Sequence, residues 1–282
     1  MAQEEFVSRH IGNGTKEIEA MLAAIKVQSL NELIEQVVPY DIRLPKALRL
    51  PAPVSEWELS NILREKARKN KLLRSLIGCG YYGTNTPAVI LRNVFENPGW
   101  YTPYQAEISQ GRLEALLNFQ TMVIGLTQME IANASLLDEG TAAAEAMIMM
   151  FNLRSRAAVK EGRNLLFVDN SVFPQTVAVL ETRSAPLGIE LVRGDYNSYQ
   201  FSGREFGAIV QYPNADGAVC NYRDFVDAAH KAEILVGVAA DLLALAMLEA
   251  PGTWGADIVF GNTQRFGVPM GLGGPHAAYF AT

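Results

Sequence analysis

Four short segments carry residues that can do chemistry together. Leu136-Leu-Asp138-Glu139-Gly140-Thr141-Ala142-Ala143-Ala144 reads as a strand end, a glycine turn and the start of an Ala-rich helix. The free N–H groups of such a start hold phosphate, with the Thr141 hydroxyl as a further donor. Equally, Asp138 or Thr141 caps the first turn. Val236-Gly-Val-Ala-Ala240-Asp241 ends an apolar strand on a carboxylate, at the sheet edge where α/β proteins bind ligands. That carboxylate suits the protonated ring nitrogen of a cofactor, or it caps a following helix. Phe173-Pro174-Gln175-Thr176 opens a helix with an aromatic ring, which can stack on a flat cofactor or staple onto its own helix. The fourth segment runs Asp257-Ile-Val-Phe-Gly-Asn-Thr-Gln264-Arg265-Phe-Gly-Val-Pro269-Met-Gly271-Leu-Gly273-Gly274-Pro275-His276.

A glycine turn, a strand-end Asp and, 23 residues later, the loop containing Gln264 follow the order required by a sheet that holds pyridoxal phosphate. Enzymes of that kind need an amine in the last loop, because the cofactor aldehyde is held there as a Schiff base. No lysine occurs after Lys231. The chain has the frame of such a site without its nucleophile.

Two further motifs invite a reading. Gly78-Cys-Gly80-Tyr-Tyr-Gly83 matches a dinucleotide-binding turn, which raises a nicotinamide-dependent oxidoreductase as a weaker alternative. Its context is poor: Arg74 and Ser75 interrupt the preceding run, and Glu96 falls too early for a ribose ligand. The same loop reads as a plain Gly/Tyr connector, or as a lining for a neighbouring active site. Asn97-Pro-Gly-Trp-Tyr-Thr-Pro103-Tyr104-Gln105 is rich in Pro, Gly and aromatics, and Arg112 after it can hold a phosphate or pair with Glu107 or Glu114.

The elements that must position these residues fall into two regions. Residues 1–117 read as a helical arm and loop region, with amphipathic helices over 17–25, 30–38 and 55–70 separated by Pro39, Pro45, Pro51 and Pro53. Residues 118–282 read as an α/β domain with a mostly parallel sheet of seven strands, at 131–137, 164–169, 189–194, 206–213, 234–241, 257–261 and 276–281. Helices over 141–153, 175–185 and 222–231 lie between them. A chain that stops at Thr282, directly after the last strand, is expected to be a fragment or a naturally split subunit.

The bulk properties exclude several classes. At 282 residues, 49% of them hydrophobic, the chain can bury a large core. A net charge of -6 leaves no basic field for nucleic acid. His10, His230 and His276 lack metal-ligand spacing, and Cys79 and Cys220 point to neither a disulfide framework nor a metal site. No apolar run reaches the roughly 18 residues of a membrane span, and an acidic start without a signal core makes the cytoplasm the expected compartment.

Long runs carry a more specific likeness. Ser8-Arg-His-Ile-Gly12, Thr86-Pro-Ala-Val-Ile-Leu-Arg-Asn93, Pro103-Tyr-Gln-Ala-Glu-Ile-Ser-Gln-Gly-Arg-Leu-Glu-Ala-Leu-Leu-Asn-Phe-Gln120, Leu137-Asp-Glu-Gly-Thr-Ala-Ala-Ala-Glu-Ala146 and Gln264-Arg-Phe-Gly-Val-Pro-Met270 resemble the N-terminal half of the glycine cleavage system P-protein family, the glycine dehydrogenases (decarboxylating). The resemblance implies two related halves, each with a fold-type I pyridoxal-phosphate transferase-like large domain, and a Schiff-base lysine in the C-terminal half alone. Aligned on Gly273-Gly274-Pro275, Gln264 takes the lysine position. Gly140, Thr141, Phe173 and Asp241 become vestigial cofactor-binding positions, no metal is involved, and the partner half holds the pyridoxal phosphate. Tyr81, Tyr82, Thr84, Tyr101, Tyr104 and Arg112 become candidates to line the partner's site. Implied partners are that C-terminal half, the lipoylated H-protein and glycine, whose decarboxylation and aminomethyl transfer belong to glycine catabolism. Alone, the chain is expected to be inactive. The alternative is a non-catalytic scaffold or regulatory module that binds the catalytic half.

Two departures from the family pattern stand out. Where the family usually reads Trp-Tyr-Thr-Ala-Tyr-Thr-Pro-Tyr, this chain reads Trp100-Tyr-Thr-Pro-Tyr104, three residues shorter. The second is the expected lack, within these residues, of the small domain that the resemblance implies after the sheet.

Overall fold

The computed structural model describes residues 10–100, 110–271 and 274–282, which form two compact units, Met1–Arg74 and Ser75–Thr282. Tyr101 and Tyr104 lie outside the described residues.

The first unit contains helices α1 (Thr15–Ala24), α2 (Leu30–Val37) and α3 (Glu56–Ala67). Their starts are set locally. The Ser29 hydroxyl accepts from the Glu32 N–H at 3.1 Å. Ser55 and Glu58 form a reciprocal capping box, with the Ser55 N–H donating to Glu58 Oε2 at 2.8 Å. None of the three helices has a fully buried residue.

The second unit is built on a sheet of six strands in the order β2-β1-β3-β4-β5-β6. After a short helical stretch at Ala88–Ile90 and Leu91–Phe95, its main helices and strands, in chain order, are α4 (Gln110–Thr127), α5 (Glu139–Asn152), α6 (Arg156–Lys160), β1 (Leu165–Asp169), α7 (Pro174–Ser184), β2 (Glu190–Gly194), β3 (Glu205–Tyr212), α8 (Arg223–Lys231), β4 (Leu235–Ala240), β5 (Ile258–Asn262) and β6 (Ala278–Ala281). Strands β1 to β5 run parallel, and β6 is antiparallel to β5. Strand β3 is buried along its whole length, as a parallel strand covered on both faces must be.

Alternation divides the core in two. Phe167, Ala208, Val210, Val236 and Val238 pack on one side with Tyr222, Phe225 and Val226. Their neighbours Leu166, Val168, Ile209 and Ala239 pack on the other with Met147 and Met150 of α5 and Leu180 of α7. Strands β4 and β5 approach closely at Gly261, where a Cβ would lie 2.0 Å from the Ala240 carbonyl oxygen. Only glycine fits there.

The sequence expectation of seven strands is corrected to six. Residues 131–137 run beside β6 but make only isolated bridges, Ala132 with Ala281 and Leu136 with Ala278. Four residue steps on one side face three on the other, so one extra residue bulges out and breaks the ladder. The helix that Asp241 caps in one of its two readings is only a 3-10 turn, Ala244–Ala246.

Candidate functional site

The strand order reverses beside β1, and the carboxyl ends of the parallel strands bring the singled-out residues to one edge. Phe173 follows β1, Asp241 follows β4, and Gln264 follows β5 by two residues; Gln211, which the sequence did not single out, joins them near the end of β3. Residues 78–86 of the same unit lie over this edge.

Each position has a partner within the chain. At the start of α5, Asp138 Oδ1 accepts the Thr141 N–H at 2.6 Å, so that donor is used as a cap. Gly140 packs against α7, where a Cβ would meet Val179 Cγ2 at 3.0 Å. Asp241 Oδ1 accepts from the N–H groups of Leu243 at 3.0 Å and Ala244 at 3.3 Å, and its Oδ2 pairs with Arg265 Nη1 at 2.6 Å.

Gln264 is fully buried, and its carboxamide is wholly engaged. Nε2 donates to the carbonyls of Tyr82 at 2.7 Å and Val268 at 2.9 Å, while Oε1 accepts the Tyr82 N–H at 3.4 Å. The 78–86 loop has further ties. Gln175 Nε2 donates to the Cys79 carbonyl at 2.7 Å, the Thr84 hydroxyl donates to the Val268 carbonyl at 2.9 Å, and the Thr86 hydroxyl donates to the Gly267 carbonyl. The Tyr81 ring sits 4.3 Å from the His276 ring, and the Arg265 guanidinium lies over the Tyr82 ring. A Cβ on Gly80 would lie 3.3 Å from Asn262 Nδ2, 3.4 Å from the Phe173 ring and 3.6 Å from His276. The loop backbone rests directly on the edge.

This geometry removes the dinucleotide reading. Gly78, Cys79 and Gly80 take successive left-handed conformations (φ 66°, 51° and 88°) between irregular segments, where a strand before and a helix after would be needed.

Beneath the loop is a buried polar cluster that sequence reasoning missed. Glu139 accepts from Asn262 Nδ2 at 2.8 Å and Gln211 Nε2 at 3.3 Å, and burial pushes its carboxyl up to about 7. Burial likewise holds His276 below the usual imidazole range. The available signal was adjacency, since Glu139 precedes Gly140 and Asn262 lies two residues before Gln264. Arg112 stands in the first turn of α4, where its guanidinium donates to the Gly99 carbonyl. Among the described residues, no group of three His, Cys, Asp or Glu side chains is placed to hold a metal ion, and no helix is long and apolar enough to cross a membrane.

The sheet order and the grouping of these residues at its carboxyl edge define the large domain of a fold-type I pyridoxal-phosphate transferase-like protein. The model of the glycine cleavage system P-protein family matches residues 8–282, and the chain belongs to that family. It is 55% identical over 285 residues to a glycine dehydrogenase (decarboxylating) of Bacteroides fragilis, covering all of this chain and 30% of that protein. A relative of the same name from Synechocystis sp. is also 55% identical, with 99% of this chain and 28% of that protein covered. The crystal structure of an inhibitor-bound glycine decarboxylase (P-protein) superposes with a TM-score of 0.80 at 33% identity, over 97% of this chain and 62% of that one. The chain therefore spans about 30% of the length of the curated relatives it matches.

Proposed function

We propose that the chain serves as the amino-terminal, non-catalytic part of a cytoplasmic glycine dehydrogenase (decarboxylating). The chemistry lies on the polypeptide that makes up the rest of its relatives. The whole protein would decarboxylate glycine with pyridoxal phosphate and pass the aminomethyl group to the lipoyl arm of an H-protein. The cofactor supplies the electron sink for that step, and it belongs to the partner part. One observation carries this reading: the Gln264 carboxamide, fully buried, is used up in holding residues 82 and 268.

The residues of this chain do not fit a pyridoxal group of its own. There is no amine in the last loop, the Thr141 N–H is bonded to Asp138, Asp241 is paired with Arg265, and the backbone at Gly80 lies where a ring would stack on Phe173. What the edge presents instead is a fixed loop with Tyr82 at the surface, 39% exposed, and Thr84 half-buried. In this reading Tyr82 and Thr84 line the partner's site, together with Tyr81, Arg112 and the Tyr101 and Tyr104 segment.

The test is reconstitution. The chain alone should release no carbon dioxide from glycine, and addition of the C-terminal remainder of a P-protein, with pyridoxal phosphate and lipoylated H-protein, should restore release. Failure with a remainder known to be competent defeats the proposal. Tyr82→Ala and Thr84→Ala separate a site-lining part from a scaffold: a lining role raises KM for glycine or lowers kcat, and a pure scaffold leaves both unchanged.

A further inference from the structure

Gln264 stands in the position of a catalytic amine, yet its environment asks for a different chemistry. Tyr82 presents both main-chain groups to it, a carbonyl at 2.7 Å from Nε2 and an N–H at 3.4 Å from Oε1, as a residue in one strand presents them to a neighbouring strand. The Val268 carbonyl takes the second proton of Nε2 at 2.9 Å, and the Gln264 N–H donates to Asn262 Oδ1 at 3.2 Å. Two acceptors and one donor thus surround a fully buried side chain.

Few side chains can answer that set. A primary amide offers two donors and an acceptor in one plane, an ammonium offers donors only, and an ionised carboxylate offers acceptors only. Lysine would leave the Tyr82 N–H unanswered and bury a charge, and glutamate would face two carbonyl oxygens. Asparagine is a methylene short. We propose that Gln264 is a positioning residue whose carboxamide latches the 78–86 loop onto the carboxyl edge of the sheet, fixing the direction in which Tyr82 and Thr84 are presented.

The other ties are arranged around this latch. Gln175 holds the loop at Cys79, Thr84 and Thr86 hold it at Val268 and Gly267, and Tyr81 is wedged between His276 and Gly274, where a Cβ would meet its ring at 3.0 Å. Among the described residues, Gln264 alone joins the Tyr82 backbone to the 264–268 turn through both of its main-chain groups. Its removal leaves the loop pinned on either side and free at Tyr82. The latch follows from this geometry, whereas its effect on turnover rests on the site-lining role proposed above.

Hydrogen exchange resolved to single peptides, on the chain assembled with the C-terminal remainder of a P-protein, tests the latch directly. In Gln264→Met, of similar length and without the amide, amides at 80–84 should exchange roughly tenfold faster or more, while those of β3 and β4 keep the wild-type rate. Gln264→Glu supplies a second reading if Gln264→Met does not fold. Protonated, its carboxyl has one donor and one acceptor and should hold the loop, and ionised it should release it, so its excess exchange over wild type at the same pH should rise with pH. Unchanged exchange at 80–84 in Gln264→Met, or a pH-independent ratio in Gln264→Glu, overturns the latch. Where the loop is released, KM for glycine should rise more than kcat falls. Faster exchange with unaltered kinetics upholds the latch and defeats the site-lining role, so the two claims fail separately.

Discussion

The carboxyl edge of the sheet and the N-terminal unit are opposites in what they leave unmet. At the edge Gln264, Asp241, Glu139 and Thr141 all find partners inside the chain. In Met1–Arg74, Val27 is the one buried hydrophobic among the described residues, while Leu44 is 70% exposed, Trp57 73% and Tyr40 87%. The first region resembles a protein interior in which most polar groups are paired before they are buried, with His276 Nε2 and Thr176 Oγ1 as buried exceptions among the described residues. The second keeps large apolar side chains in water, and its helices are held by caps and local bonds. The comparison separates two sources of order, tertiary packing in one unit and local signals in the other.

The contrast predicts where substitutions hurt. Gly261→Ala should have the largest effect, because its Cβ would lie 2.0 Å from a backbone oxygen that cannot move without shifting β4. A loss of about 3 kcal/mol in denaturant unfolding is expected. A loss below about 0.5 kcal/mol would show that the strands give way easily.

Glu139 follows. Its carboxyl is raised to about 7 by burial, above the ordinary value of 4.5, so between those values the folded state holds a proton that the unfolded state has released. Its contribution is fully present below the unfolded value and is lost as pH rises through about 7, amounting to about 3 kcal/mol. Unfolding measured from about pH 5 to about pH 8 should show this fall in the wild type and not in Glu139→Gln. Parallel curves for the two would mean that the carboxyl is solvated.

Asp241→Ala removes a cap on two N–H groups and an ion pair with Arg265, whose side chain is 38% exposed and adds little through charge. A cost of about 1 kcal/mol is expected, mostly from the cap. Trp57→Ser sits at the other end of the scale. It should change the stability of this chain by less than about 0.5 kcal/mol, and a larger loss would place Trp57 in a packed interior and erase the contrast.

Much of this was legible in the sequence for physical reasons. Buried parallel strands are near-continuous apolar runs, so 206–213 and 234–241 matched β3 and β4 within a residue or so at each end. Capping residues marked α2 and α3, because Ser29 and Ser55 act on backbone groups three residues away. The missing seventh strand was illegible, since an alternating pattern over 131–137 does not reveal the extra residue that breaks its pairing with β6. The loop over the sheet edge was also hidden. Gly78-Cys-Gly80-Tyr-Tyr-Gly83 shows that the chain turns, but contacts spanning 182 residues to Gln264 follow from topology and not from local pattern. The motif order identified Gln264 as a position without its amine; its use as a latch required the partners.

The most direct measurement is the location of the reducible cofactor in an assembled protein. This chain, joined with the C-terminal remainder of a P-protein and loaded with pyridoxal phosphate, is reduced with borohydride, digested and mapped by mass spectrometry. The account predicts a single modified lysine outside residues 1–282, and none at Lys231 or any earlier lysine of this chain. A specific, stoichiometric adduct on a lysine within residues 1–282 would contradict it.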